Sequence, residues 1–398
     1  MKWEKVLLGE VTDSCLGKML DQEKNRGEYQ PYLANVDVRW GSFNLDDLSE
    51  MRFEKDEQER YGLKYGDLVV CEGGEPGRCA IWKNQIPNMK IQKALHRVRV
   101  HDCLDYRYLY YWFLLAGKTG GLEQYFTGAT IKHMPGQKLK SVVIDKPPIG
   151  IQRSIADVLS SYDDLIENNQ KQIKLLEEAA QRLYKEWFVD LRFPGHENTK
   201  ITDGVPEGWG KYKFSDITSI MSGGTPKTDV KGFYNGNIPF YTPKDSDDSF
   251  FVLDTITHIS QSGLDNCNSQ LYPVNTTIIT ARGTVGKTTI LAVPMAMNQS
   301  CYALKCDELN SPYYLFFSLK NEVAALKKMA NGGVFNTIIV KTFDSIYLIA
   351  PTRDVLNMFE ASVSPIMEQI KTKARQNIIL TEARDRLLPK LMSGEIEL

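Results

Sequence analysis

The stretch LLEEAAQRLYKEWF, residues Leu175–Phe188, decides the fold because the chain repeats it. Residues Ile379–Met392 read ILTEARDRLLPKLM, which places the second stretch 204 positions after the first. The identical pairs are Leu176/Leu380, Glu178/Glu382, Ala179/Ala383, Arg182/Arg386 and Leu183/Leu387. A repeat over this distance predicts a tandem duplication, in which each copy is a globular region followed by a long helix.

Further pairs of stretches extend the duplication across the globular regions. LVVCEGGEPGRCAIW (Leu68–Trp82) matches TIITARGTVGKTTIL (Thr277–Leu291), and VVIDKPP (Val142–Pro148) matches YLIAPT (Tyr347–Thr352). The stretch Arg192–Gly210, rich in Gly and Pro, marks the boundary between the copies. We therefore predict two globular domains, 1–150 and 209–352, two long helices, 151–191 and 353–398, and a linker, 192–208.

Both long helices carry a stripe of apolar residues spaced alternately by four and three, which is the heptad pattern of a coiled coil. The stripes turn polar near their middle, at Asn169 in the first helix and at Lys373 and Asn377 in the second, and such residues can fix the register of a helix pair. Each helix packing only on its own globular region is the alternative, but two stripes of the same phase favour antiparallel pairing. The predicted seam consists of Ile155, Leu159, Tyr162, Ile166, Ile173, Leu176, Leu183, Phe359, Val363, Ile366, Ile370, Leu380 and Leu387.

The segment ITARGTVGKTTI resembles a phosphate-binding loop through Gly286, Lys287 and Thr288. A true loop of that kind begins with Gly and runs into a helix. Here Ala281 replaces the first Gly, and the β-branched residues that follow, closed by Pro294, favour a strand. We predict a β-hairpin rather than a nucleotide site, with Gly77-Arg78-Cys79 as the corresponding turn of the first copy.

Composition describes an ordinary multidomain protein of 398 residues, with 42% hydrophobic and 25% charged residues and a net charge of −2. No run approaches the roughly 18 apolar residues of a membrane span. The seven cysteines are scattered, and the five histidines are dispersed, so we expect free thiols in a cytoplasmic protein and no metal site.

Motifs for catalysis are missing from the sequence. There is no G-x-G-x-x-G after a strand, and NIPFY (Asn237–Tyr241) lacks the second Pro of a methyltransferase loop. We therefore expect a binding protein without catalytic residues. Turns that combine Gly, Thr and basic residues suit contacts with phosphates and base edges, although each such turn can also be an ordinary solvated one. The candidate DNA contacts are Arg78, Thr130, Lys132, His133, Thr225, Lys227, Tyr241, Lys244, Arg282, Thr284 and Lys287.

The pattern resembles the DNA sequence-specificity (S) subunits of type I restriction–modification enzymes over nearly the whole chain. The motifs that carry the resemblance are P-x-G-W at Pro206–Trp209, SGGTPKT with Y-x-GNIPFYTPKD between residues 222 and 245, P-P-x-x-x-Q-x-x-I-A-x-x-L at Pro147–Leu159, and LLPKLMSGEI at Leu387–Ile396. The second long helix departs from the pattern, because PTRDVLNMFEASV (Pro351–Val363) replaces Q-x-x-I-A at its start.

The resemblance implies an α+β fold: two mixed α/β target-recognition domains separated by an antiparallel coiled coil, with internal pseudo-twofold symmetry. Each recognition domain would read one half of a split site in double-stranded DNA, and the helices would set the spacing and bind two methyltransferase (modification) subunits. Restriction subunits with ATP-driven translocation would join the complex. The resemblance also implies that this chain binds no cofactor, since S-adenosylmethionine, ATP and Mg²⁺ would belong to the partner subunits.

Two alternatives belong to other classes. A stand-alone enzyme, either a DNA methyltransferase or a P-loop ATPase using Lys287, would turn over substrate without partners. A coiled-coil scaffold with domains that do not recognise DNA would bind no duplex even with a methyltransferase present.

Overall fold

The structure is a computed structural model that describes residues 3–19, 21, 25–306, 309, 311–329 and 337–398. The chain forms two compact units: unit 1 comprises Met1–Ile166 and Ile379–Leu398, and unit 2 comprises Glu167–Ile378. Both units mix helices and strands, as an α+β fold requires.

Unit 1 is built on a four-stranded antiparallel sheet of order β2-β10-β7-β8 and a three-stranded sheet of order β6-β3-β9. Two smaller antiparallel pairs, β1-β11 and β4-β5, complete the unit. The strands are β1 Glu4–Leu7, β2 Thr12–Leu16, β3 Glu28–Leu33, β4 Val38–Arg39, β5 Ser42–Phe43, β6 Glu50–Phe53, β7 Leu68–Cys71, β8 Cys79–Ile81, β9 Lys90–Ile91, β10 Leu95–Val100 and β11 Val143–Lys146.

Strand β7 lies inside the four-stranded sheet, and its sequence LVVC contains no polar residue. Side chains alternate between the two faces of a strand. Leu68 and Val70 enter one apolar core, whereas Val69 and Cys71 enter a second core on the opposite face. Burial on both faces therefore selects a continuous apolar run rather than an alternating one.

Unit 1 also contains helices, the last of which continues into the residues of unit 2. They are α1 Glu57–Tyr61, α2 Tyr106–Thr119, α3 Gly136–Lys140 and α4 Ile149–Tyr184, and α4 continues into one π-helical turn, Lys185–Val189. Helix α2 packs its aromatic residues on the face of β7 that carries Leu68 and Val70. Helix α4 belongs to unit 1 up to Ile166 and to unit 2 from Glu167.

Unit 2 contains a five-stranded sheet of order β15-β22-β19-β20-β17 and a three-stranded sheet of order β18-β16-β21. Its strands are β12 Ile201–Thr202, β13 Val205–Pro206, β14 Gly210–Lys213, β15 Ser219–Ser222, β16 Ile238–Tyr241, β17 Phe251–Val252, β18 His258–Ile259, β19 Thr277–Thr280, β20 Thr288–Leu291, β21 Ala296–Met297, β22 Cys301–Lys305 and β23 Tyr347–Ala350. Its helices are α5 Phe214–Ile217, α6 Gln261–Asp265, α7 Pro312–Met329 and α8 Val340–Phe343, together with the part of α9 (Arg353–Ser393) that ends at Ile378. The order β15-β22-β19-β20 corresponds, strand for strand in chain order, to β2-β10-β7-β8 of unit 1.

Gln152 fixes the start of α4 in unit 1. Its side chain is fully buried; Oε1 accepts from the backbone N–H of Asp105 at 2.9 Å, and Nε2 donates to the carbonyl of Pro147 at 2.7 Å. A buried amide is tolerated only when its donors and acceptor are satisfied. This is the physical reason for Gln in the P-P-x-x-x-Q stretch.

Glu360 makes the corresponding connection in unit 2, about two turns into α9. Its Oε1 accepts from the hydroxyl of Ser311 and from the backbone N–H groups of Tyr313 and Tyr314, at 3.2 and 3.4 Å. These N–H groups lie in the first turn of α7 and have no partner within that helix. The sequence Pro351–Val363 departs from the first-copy pattern, so Glu360 rather than a Gln ties the long helix to the neighbouring segment. Helix α9 nevertheless begins at Arg353.

The long helices contact each other within unit 1. Arg384 of α9 forms an ion pair with Asp163 of α4, and Tyr111 of α2 donates to the same carboxylate at 2.6 Å. Leu159 and Leu388 are both buried in the core that these helices share with α2. The ion pair is thus held inside a packed helix interface.

The helices also contact each other within unit 2. Asn169 lies opposite Asn377, and Trp187 packs on Phe359 with ring centroids 5.8 Å apart. The residue numbers rise along α4 while those of its partners fall along α9. The two segments in unit 2 therefore run antiparallel.

Burial agrees with part of the predicted seam and departs from it at two positions of α9. Ile155, Leu159, Phe359, Val363 and Ile370 are buried, and the other seam residues are half-buried. In α9, however, Met367 and Leu388 are buried, while their predicted neighbours Ile366 and Leu387 lie at the edge of the apolar cores. A straight α-helix drifts relative to a strict heptad, so a constant offset from the first copy selects the wrong one of two adjacent positions.

No helix within the described residues is long and apolar enough to cross a membrane. All seven cysteines are free thiols. Burial raises the pKa of Cys71 to about 11 and that of Cys301 to about 12, which keeps both thiols protonated and unreactive at neutral pH.

Candidate nucleic-acid interface

The ARGTVGK segment is the turn of a hairpin, as predicted. Strands β19 and β20 pair antiparallel, and the turn is closed by Gly286 N–H donating to the carbonyl of Thr280 at 2.8 Å. Gly283 and Gly286 have φ values of 79° and 76°, which are accessible to glycine at little cost. A strand rather than a helix follows Lys287, so the segment lacks the helix N-terminus on which a phosphate-binding loop depends.

Unit 1 contains the same turn between β7 and β8. Gly77 N–H donates to the carbonyl of Cys71 at 2.9 Å, and Gly74 and Gly77 have φ values of 71° and 90°. The two turns therefore correspond position by position. The matching pairs are Gly74/Gly283, Glu75/Thr284, Gly77/Gly286 and Arg78/Lys287.

A second loop lies beside this turn in unit 1. Thr127 and His133 exchange backbone hydrogen bonds of 2.7 and 2.9 Å, and Met134 N–H donates to the carbonyl of Glu72 in the turn at 2.7 Å. Three predicted contacts in this loop, Thr130, Lys132 and His133, are exposed. The structure thus brings the loop and the turn, which are about fifty residues apart in sequence, onto one surface.

Arg78 does not fit the prediction that it contacts DNA. Its guanidinium donates to the carbonyl of Asn35 at 3.0 Å and to Glu75 at 3.1 Å, and only 16% of its side chain is exposed. The guanidinium is therefore already engaged by partners within unit 1 and is largely shielded from solvent. Arg78 instead holds the turn against the segment that follows β3.

Glu75 and Trp40 were not among the predicted residues. Trp40 Nε1 donates to Glu75 Oε1 at 2.6 Å, and Arg78 binds the other carboxylate oxygen. The Glu75 side chain remains 54% exposed at the tip of the turn. A comparison of the two turns in sequence would have singled out Glu75, because it occupies the position of Thr284.

Hydrogen bonds to backbone carbonyls gather the predicted residues of unit 2 in the same way. Thr284 Oγ1 donates to the carbonyl of Pro243 at 3.3 Å, Asn298 N–H donates to the carbonyl of Tyr241 at 3.0 Å, and Gly224 N–H donates to that of Met297 at 3.1 Å. These bonds join the loops that carry Thr225, Lys227, Lys244, Arg282 and Thr284. All five of these residues are exposed.

Gln299, which was also not predicted, accepts a hydrogen bond from the hydroxyl of Thr225. It lies between β21 and β22, and its amide adds a polar group to the same surface. A polar turn of the type Asn-Gln-Ser is the only sequence signal for it.

Tyr241 is wrong as a DNA contact. Its side chain is 1% exposed and packs in an apolar core with Tyr272, Met295 and Met297. Burial raises the pKa of its phenol well above the ordinary range. Tyr241 therefore supports the loop that carries Lys244 from beneath.

The cations of this surface differ in their surroundings. Lys287 forms an ion pair with the exposed carboxylate of Asp248. Within the part of the chain that the structure describes, Lys227, Lys244 and Arg282 have no ion-pair partner. These three cations are therefore better placed than Lys287 to meet a phosphate.

Comparison with known families fits a chain that carries two similar surfaces. The family profile described as the type I restriction modification DNA specificity domain matches residues 1–178 and 206–354. The chain belongs to this family.

Specificity subunits of type I systems are not catalytic by themselves, and they act on DNA in complexes with modification and restriction subunits. The chain is 29% identical to the type I restriction enzyme MjaIX specificity subunit of Methanocaldococcus jannaschii, over 83% of this chain and 78% of the relative. It is 24% identical to the HindI specificity subunit of Haemophilus influenzae, over 99% of both chains.

The fold agrees with a solved specificity subunit. The crystal structure of the S subunit of a type I restriction–modification system from M. genitalium superposes with a TM-score of 0.57 at 17% identity, covering 98% of this chain and 96% of the other. At that identity the likeness concerns the fold.

In the described residues, no group of three or more His, Cys, Asp or Glu side chains is arranged to hold a metal ion.

Proposed function

We propose that this chain reads a split site in double-stranded DNA, with unit 1 reading one half and unit 2 the other, as the specificity subunit of a type I restriction–modification complex. The observation that carries the proposal is the pair of matched turns. The backbone of each turn is closed by the same hydrogen bonds and glycines, but the tips present different side chains, Glu75 in unit 1 and Thr284 in unit 2.

A hairpin suits this task because the major groove admits a two-stranded β-ribbon. Exposed cations beside the tip, such as Lys132 in unit 1 and Lys244 in unit 2, would bind phosphates and fix the position of each unit on the duplex. Side chains at the tip would then read base edges. Because the two turns share one backbone structure but present different side chains at their tips, we expect the two units to read different half-site sequences.

The long helices would act as the spacer. We propose that α4 and α9 form one antiparallel coiled coil, that the duplication gives the chain pseudo-twofold symmetry, and that two modification subunits bind to these helices. The chain would then divide by function into two recognition domains, 1–150 and 209–352, and two spacer helices, 151–191 and 353–398. Two readers held at a fixed distance would set the separation of the half-sites, as dimeric DNA-binding proteins do.

The partners would supply the chemistry. S-adenosylmethionine would be bound by the modification subunits, and ATP with Mg²⁺ by the restriction subunits, while this chain holds the DNA. Adenine must leave the base stack to be methylated, which requires DNA that is held in place. The rival stand-alone ATPase is not favoured, because Lys287 is followed by a strand and its ammonium group binds Asp248.

The test is a comparison of three samples: the purified chain, its modification subunit, and the two together. The chain alone should neither methylate DNA nor hydrolyse ATP, and methylation should require both proteins. Methylation by the modification subunit alone at the same sites, or ATP hydrolysis by the chain alone, would overturn the proposal.

A further inference from the structure

We infer that Glu75 is a base-reading residue of unit 1, and that it selects cytosine by accepting a hydrogen bond from the N4 amino group in the major groove. The inference deepens the proposed function and rests on it. It starts from the geometry of Trp40, Glu75 and Arg78.

The Glu75 carboxylate is held at both oxygens. Trp40 Nε1 donates to Oε1 at 2.6 Å, and Arg78 Nη1 donates to Oε2 at 3.1 Å. Arg78 is fixed in turn by its bond to the carbonyl of Asn35 at 3.0 Å. The carboxylate therefore has one orientation before any ligand arrives, which lowers the entropy lost on binding.

The same carboxylate retains capacity to bind. Two carboxylate oxygens offer about four acceptor sites, and the two donors occupy two of them. The side chain is 54% exposed at the tip of the hairpin. The positive charge of Arg78 also offsets the negative charge of the Glu75 carboxylate, which reduces the repulsion between this carboxylate and the phosphates on either side of the groove.

The chemistry of the base edges then selects one base. A carboxylate only accepts hydrogen bonds, so it is repelled by the acceptors N7 and O6 of guanine and O4 of thymine. Adenine offers an amino group, but its N7 acceptor lies beside it. Cytosine offers N4 without an adjacent acceptor on its own edge, and it is therefore the base that an oriented carboxylate prefers.

The corresponding position of unit 2 supports a reading role. Thr284 donates its hydroxyl to the carbonyl of Pro243 at 3.3 Å, so this position of the turn tolerates Thr without a carboxylate. Trp40 and Glu75 are thus not required to close this type of turn. Their pairing instead gives unit 1 a side chain of different chemistry at the same place.

The experiment uses the full chain in complex with its modification subunit and selects bound duplexes from a random library. Wild type should yield a split motif whose first half contains a position with at least about tenfold preference for cytosine. Glu75→Gln should shift that position towards adenine, because an amide both donates and accepts, and Glu75→Thr should relax it about tenfold. The second half-site should be unchanged in both variants.

Glu59→Gln is the matched control, since Glu59 is an exposed carboxylate of unit 1 that pairs with Lys64 at 3.4 Å. It should leave the whole motif unchanged. If wild type selects no split motif, the proposed function fails. If wild type selects one but both Glu75 variants keep the same preference, or lose all positions of the motif equally, Glu75 is only a structural residue and the inference is overturned.

Discussion

Asn169 Nδ2 donates a hydrogen bond to the side-chain oxygen of Asn377 over 3.0 Å, where α4 and α9 face each other in unit 2. Asn169 is 9% exposed, and Gln376 offers a second, longer acceptor at 3.5 Å. A polar pair inside an apolar helix interface costs stability but favours a single register. The apolar residues above and below it would tolerate other registers better.

We expect Asn169→Leu to destabilise unit 2 by about 1–2 kcal/mol, because Asn377 then loses its partner in a partly buried site. Replacing both residues by Leu should recover the loss or exceed it, since two apolar side chains satisfy each other. Urea unfolding followed by tryptophan fluorescence measures both effects. Asn168→Leu, at the exposed neighbouring position, is the control and should change little; a single variant as stable as the double variant would show that the pair is not coupled.

Ile370 tests the seam of α9. Its side chain is 2% exposed in the core of unit 2, whereas Ile379 is 64% exposed on the same helix. Ile370→Asp should destabilise the chain by about 3 kcal/mol or more, because it places a charge without a partner in an apolar core. Ile379→Asp is the matched control.

The measurement for this pair is the unfolding midpoint together with elution in size-exclusion chromatography. Ile370→Asp should unfold at a lower urea concentration and elute as an expanded chain, and Ile379→Asp should behave as wild type. Equal midpoints for the two variants would contradict the assignment of Ile370 to the packed seam.

Glu360 makes the stability of unit 2 depend on pH. Burial, partly offset by the hydrogen bonds from Ser311 and the first turn of α7, raises the pKa of this carboxyl above 4.5. The folded state therefore holds the proton more tightly than the unfolded state, so the stability contributed by Glu360 is greatest below about pH 4.5 and falls as pH rises through the folded pKa.

The Glu360→Gln variant should show a smaller loss of unfolding free energy than wild type as the pH rises above about 4.5. Its amide oxygen can still accept from Tyr313 and Tyr314, so the start of α7 keeps a cap. Urea unfolding at several pH values gives the slope, and the exposed Glu207→Gln is the control. A slope identical to wild type would show that Glu360 does not titrate differently on folding.

Arg282 and Lys287 occupy the same turn but should differ in their effect on DNA binding. Arg282→Ala removes an exposed cation with no ion-pair partner among the described residues, and it should either lower the salt dependence by one phosphate contact or relax one position of the second half-site. Lys287→Ala should have the smaller effect, because Asp248 already neutralises Lys287. Titration of a cognate duplex at several salt concentrations decides; a larger loss for Lys287→Ala would reverse this assignment.

Much of the fold could be predicted because it depends on patterns local in sequence. The glycine positions and β-branched residues predict both hairpins. The two turns are 209 residues apart in sequence, so Gly77 is the equivalent of Gly286. Asn169 and Asn377 were expected near the middle of the seam, where the structure joins them.

The remainder depends on contacts that no local pattern reveals. Tyr241 is the last residue of β16 and stands beside a stretch rich in turn residues, yet its ring fills a core formed by distant strands. The bond from Trp40 to Glu75 joins residues 35 positions apart, and the bond from Arg78 to Asn35 turns a basic residue inwards. Which basic residue faces solvent is decided by such tertiary partners, so the sequence alone could not separate the inward-facing Arg78 from the exposed cations.

The most direct test of the central claim is a map of modified bases in DNA from cells that produce this chain with its modification subunit. The account predicts one motif made of two specific segments separated by a spacer of fixed length, in which Glu75→Gln alters only the first segment and Arg282→Ala affects at most the second. A contiguous motif, or methylation that persists unchanged without this chain, would contradict the claim that two units of one specificity subunit read two halves of the site.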